Sequence, residues 1–109
     1  MKTPITLLCS ALLISVANVA VAADSVAGGT KAKEICSACH GVDGNSADPN
    51  NPRLAGQHAD YLAKALRDYK SGERNNAIMK GFAAALSKKD IENLAAYFAS
   101  QKSSLSVKY

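Results

Sequence analysis

With 109 residues, 48% of them hydrophobic, and a formal net charge of +4, the chain has room for one ordinary domain. Six aromatics and no Trp make a thin core unaided, so a bulky apolar group from outside would be its natural filler. The charge is small and scattered, with no basic block interleaved with aromatics, which argues against a nucleic-acid partner.

Met1 and Lys2 lead into an apolar run from Ile5 to Ala22 that ends on small residues, Ala20, Ala22 and Ala23. This is the pattern of a cleaved secretory signal over 1–23, with the cut after Ala22 or Ala23. The run is just long enough for a membrane anchor, but Thr6, Ser10, Ser15 and Asn18 dilute it, so no stable membrane insertion is expected after cleavage. Cys9 follows Leu8 rather than a small residue and lies too early for lipid attachment; it leaves with the signal. The domain that remains, 24–109, has twelve Lys+Arg (thirteen less Lys2) against nine Asp+Glu, a charge of +3, and two cysteines, in a chain bound for an oxidising compartment.

Asp24 to Cys39 reads as a first helix, with Val26, Ala27, Ala32 and Ile35 apolar and Thr30, Lys31, Lys33 and Glu34 facing water. Gly28 and Gly29 are costly inside it, which means either a late start or a close helix crossing. At its end stand Cys36, Ser37, Ala38, Cys39 and His40. In a helical turn, positions i, i+3 and i+4 share a face, so two thiols and an imidazole address one flat object. That spacing suits thioether bonds from Cys36 and Cys39 to the vinyl groups of a haem, with His40 turned toward the iron. A redox dithiol would normally follow a strand, and none precedes Cys36. A zinc site needs four ligands, and only His58 remains to complete one. A plain disulfide leaves His40 unexplained.

From Gly41 to Gln57 the sequence is all turn chemistry, long enough to line the haem edge on the His40 side. His58 to Ser71 is the strongest helix, with Tyr61, Leu62, Ala65, Leu66 and Tyr69 as its stripe and Gly72 as its stop. His58 reads better as an exposed first-turn residue than as an iron ligand. Gly72 to Leu86 reads as a second irregular stretch. It holds Met79, the only Met of the domain, a soft thioether that is core filler or a sixth ligand to iron. Ser87 opens a last helix with Asp90 as a variant capping box. Ile91, Leu94, Ala95 and Phe98 form its buried face, Lys88, Lys89, Glu92 and Asn93 its wet one, and Tyr97 its flank. The tail from Gln101 to Tyr109 reads as loose.

The order of these landmarks, CSACHG at Cys36 to Gly41, NPRLAGQ at Asn51 to Gln57, Tyr61 and Leu62, Met79, then DIENLAAYFAS at Asp90 to Ser100, resembles the class I c-type cytochromes of bacterial periplasms. It is most similar to the small single-haem members, like one half of the dihaem cytochromes that feed terminal oxidases. The resemblance implies an all-α cytochrome c fold of about three to four helices wrapped around one covalent haem c. It implies Cys36 and Cys39 as thioether attachments, His40 as proximal ligand and Met79 as distal ligand. Pro52 matches the family proline whose carbonyl supports the proximal imidazole. Gly29 matches the glycine at the crossing of the first and last helices, with Tyr97 and Phe98 as the aromatic side. Lys88 and Lys89 depart from the acidic residues often found there, which bears on partner choice. The function implied is a periplasmic single-electron carrier, not an enzyme, that shuttles between redox proteins such as a cytochrome complex and a terminal oxidase or reductase. Lys80, Lys88 and Lys89 are either steering charges for an acidic partner or an ordinary solvated face. The alternative is a haem enzyme or sensor with a labile distal site.

Overall fold

The computed structural model describes Met1, Lys2, Ser15, Ala17 and residues 21–105; most of the run read as a signal peptide, Cys9 and the last four residues lie outside the described residues. Five helices follow one another, α1 (Ser25–Ile35), α2 (Ser37–His40), α3 (Ala59–Ser71), α4 (Ala77–Ala84) and α5 (Lys88–Ser100), with no strand among the described residues. The all-helical expectation holds. The count exceeds three to four because the first helix divides and a helix forms where an irregular stretch was expected.

The Asp24 carboxylate starts α1 by accepting from Val26 N at 2.9 Å and Ala27 N at 3.0 Å. Of the expected apolar set, Ala32 is buried and Ile35 half-buried, while Val26 and Ala27 are exposed and their place is taken by Gly28 and Gly29. The glycines mark a close crossing with α5. A Cβ on Gly28 would stand 2.0 Å from the Asn93 carbonyl oxygen, and one on Gly29 would stand 2.9 Å from the Tyr97 ring. Each glycine costs the helix about 1 kcal/mol relative to Ala, and the backbone approach it permits offsets that. The expected single helix breaks at Cys36. Its N–H closes α1 on Ala32 O at 2.9 Å, while its carbonyl accepts from His40 N at 3.0 Å and opens α2.

The 41–57 loop is stitched to the last helix and the tail. Gly44 has φ of 82°, and a Cβ there would meet the Phe98 ring at 2.7 Å. Tyr97 OH donates to Val42 O at 2.8 Å, and Gly56 N to Phe98 O at 2.9 Å. The Asn45 amide donates to Lys102 O at 2.9 Å and accepts from Ser104 N at 2.7 Å. Through Ser104, therefore, the tail is tied down rather than loose.

Helix α3 ends where expected, on Gly72 in the left-handed region with φ of 88°. Between α3 and α5, Gly72 to Leu86 is not irregular throughout. Asn76 caps α4, so Met79 sits on a helix. In α5, Ser87 and Asp90 form the capping box in both directions, and Ile91, Leu94, Ala95 and Phe98 are buried, each large side chain adding about 1.5–3 kcal/mol. Asn93 is not wet but buried, its Oδ1 accepting from Asp24 N at 2.7 Å.

Helix α5 packs against α1 and α3; α2 continues from α1, and α4 packs mainly on α3. The helices thus contact one another in the order α2, α1, α5, α3, α4, with α5 in the middle. The short helices α2 and α4 close this order, one carrying His40 and the other Met79.

Candidate cofactor site

The break at Cys36 divides the motif between two environments. Cys36 is half-buried and packs against the core cluster, while Cys39 is exposed, and no disulfide joins them. Burial pushes the Cys36 thiol up to about 11. A redox dithiol works through a thiolate stabilised well below the usual cysteine value, so this environment is the wrong one for that chemistry. It suits a sulfur that ends as an uncharged thioether.

His40 is buried, 7% exposed, and its Nδ1 lies 2.8 Å from Pro52 O. A carbonyl only accepts, so Nδ1 carries a proton, and in the neutral ring that puts the lone pair on Nε2. Nε2 makes no hydrogen bond among the described residues, and it is not a sealed orphan, since no fully buried side-chain nitrogen or oxygen there lacks a partner. Fixing one ring nitrogen on a backbone carbonyl sets the tautomer and orientation of a metal-ligating imidazole and makes the other nitrogen a better donor. Pro52 is twelve residues downstream, and the loop that brings it back depends on Ser46, which sequence reasoning passed over. Ser46 is buried, with its hydroxyl 3.2 Å from Cys39 O and 3.1 Å from Asp48 O. Its own carbonyl accepts from Arg53 Nε at 3.1 Å, next to Pro52. The hydroxyl-bearing turn thus ties the motif's backbone to the proline that supports its histidine.

Met79 is not brought against His40 by any helix contact. It is half-buried on α4, where only Ala83 of eight residues is fully buried. Ile78 and Phe82, one helical turn apart, are 68% and 45% exposed. A helix of sequence AIMKGFAA that leaves its apolar side chains open is built to be covered by something the described residues do not supply. The donor set, an imidazole oriented on α2 and a thioether on the largely exposed apolar helix α4, fits a flat apolar macrocycle with a central metal. His58, by contrast, is exposed at the start of α3 and makes no capping bond.

Lys80 and Lys89 are exposed, and Lys88 reaches Glu92 at 4.0 Å, a loose surface pair. Among the described residues no helix is long and apolar enough to cross a membrane.

Known proteins with the same pattern exist. The cytochrome c family model matches residues 25–102. Cytochrome c4 of Pseudomonas aeruginosa is 47% identical over 100 residues, which cover 91% of this chain and 50% of that protein. Cytochrome c-554(548) of Halomonas halodenitrificans is 43% identical over 84 residues, 74% of this chain and the whole of that one. The crystal structure of reduced recombinant cytochrome c4 from Pseudomonas stutzeri superposes with a TM-score of 0.72 at 47% identity, covering 77% of this chain and 48% of that one. The chain thus spans about half the length of the cytochrome c4 relatives it matches. With the motif, the oriented imidazole and these likenesses together, the chain belongs to the cytochrome c family of electron-transfer proteins, and its cofactor is covalently bound haem c.

Proposed function

We propose that the chain is an exported single-electron carrier, with thioethers at Cys36 and Cys39, His40 and Met79 as the two axial ligands, and the Pro52 carbonyl as support for the proximal ring. Haem c, when bound, supplies an iron that cycles between the ferric and ferrous states. The observation that carries the reading is the 2.8 Å contact from His40 Nδ1 to Pro52 O, which leaves Nε2 as the donor.

A thioether from Met79 favours the ferrous iron and raises the potential, which suits a carrier that is easily reduced. Two protein ligands also close the iron to small molecules, so the site has no place for a substrate. The protein part of the task is then to hold the same ligand set in both oxidation states, which minimises rearrangement on transfer. The contact with a partner needs only to be small and transient. Exposed Lys80, Lys88 and Lys89 favour an acidic face on a larger redox protein, such as a cytochrome complex or a terminal oxidase or reductase, through an attraction that salt screens. Export to the periplasm rests on the signal pattern of 1–23. Asp24, which caps α1 and is held by Asn93, supports a domain of 24–109.

Redox titration of the purified holoprotein, paired with its intact mass, tests this. A single-electron Nernst slope and a haem mass that survives reductant are expected. A two-electron couple with no covalent haem would return the Cys36 and Cys39 pair to dithiol chemistry.

A further inference from the structure

From the structure we infer that Asn76 is a positioning residue for the iron site: its side chain holds Met79 within reach of the metal, and without it the sixth ligand leaves more often. The inference rests on Met79 being that ligand.

Helix α4 rests on α3 but buries little of itself. Ala83 is its one buried residue, and eight residues are too few for a stable helix by themselves. Polar brackets do the holding. At its far end, the Lys70 ammonium donates to Leu86 O. At its near end, Arg74 N donates to Asp68 O at 3.1 Å, and the Arg74 guanidinium lies 4.9 Å from the centre of the Tyr69 ring and 3.3 Å from Tyr61 OH. This lays the linker back along α3. Asn76 then turns the chain into α4, and its Oδ1 accepts a hydrogen bond at 2.9 Å from the backbone N–H of Met79 itself. Of the N–H groups at the start of α4, the one fixed by the cap belongs to the residue whose side chain must reach iron. Since Cβ in a helix points toward the N-terminus, fixing this turn fixes the origin and direction of the thioether arm.

Losing an Asn cap biases the equilibrium of the capped turn by about five-fold, and an intruding ligand binds in proportion to the fraction of open iron. Asn76 is exposed and makes this one side-chain bond, so Asn76→Ala leaves the fold intact. The experiment compares the wild-type holoprotein with Asn76→Ala, Asn76→Asp and Met79→Ala. It measures the rate of carbon monoxide uptake by ferrous protein, the affinity of ferric protein for added imidazole, and the midpoint of chemical unfolding. Asn76→Ala is expected to take up carbon monoxide and bind imidazole about five-fold more readily. Asn76→Asp, which keeps the acceptor oxygen, is expected to stay near wild type. Met79→Ala is expected to react without the wild-type barrier. If Met79→Ala opens the iron but Asn76→Ala exchanges ligands at the wild-type rate, the positioning role is wrong, even if the unfolding midpoint drops. If Met79→Ala changes nothing, the ligand assignment itself is wrong and this inference falls with it.

Discussion

Gly28 and Gly29 are neighbours on α1 but meet different obstacles. An added Cβ at Gly28 would lie 2.0 Å from the carbonyl oxygen of Asn93, which is backbone within α5 and cannot turn aside. At Gly29 the obstacle is the Tyr97 ring at 2.9 Å, a side chain that can tilt on its hydrogen bond to Val42. Gly28→Ala should therefore cost on the order of 3 kcal/mol, and Gly29→Ala about 1 kcal/mol, in denaturant unfolding of the holoprotein. Equal costs would mean the crossing is looser than its geometry. The residues themselves marked both glycines as costly in a helix, and the resemblance put the crossing at Gly29; spacing from the motif marks a position but not which neighbour it meets. Cys36, Cys39 and His40 were legible because their geometry is local. Asn93 and Ser46 were not: an Asn on a helix reads as solvent-facing until its partner, Asp24, is brought in from 69 residues away.

At the level of elements, α5 was legible end to end because its cap and its apolar repeat agree. The box also gives it a pH signature. The Asp90 carboxylate is held below its usual range chiefly by the hydrogen bond from Ser87 N, with the Lys31 and Lys70 charges assisting. A group whose folded pKa is lowered stabilises above its unfolded value, near 3.9, and loses that contribution as pH falls through the folded value. Asp90→Asn should therefore cost about 0.5 kcal/mol at neutral pH, modest because the side chain remains partly wet. The difference from wild type should close below about pH 3, as followed by unfolding curves across the acid range. A gap that persists or widens in acid would contradict the assignment. Helix α4 was missed for a physical reason. Its eight residues, AIMKGFAA, are fewer than the stretch over which helical periodicity can be read, and Gly81 interrupts them. The tail was misread similarly, since Asn45 pairs with Lys102 and Ser104 through backbone groups that side-chain chemistry does not announce.

At the scale of the whole molecule, α5 is the hub: it packs on both α1 and α3, while α2 joins through α1 and α4 mainly through α3. The fold class and the His40 end of the site were readable from the motif and the ordered landmarks around it. The Met79 end was readable as a residue but not as a helix. Its role as ligand is where the account is most exposed, because everything said of carrier function depends on a closed iron. The most direct test is carbon monoxide added to reduced wild-type holoprotein and to reduced Met79→Ala, each followed by its optical spectrum. The wild type should keep a low-spin His/Met spectrum and bind little carbon monoxide, while Met79→Ala binds it readily. Ready binding by the wild type would mean an open iron, and the protein would then be a haem enzyme or sensor rather than a carrier.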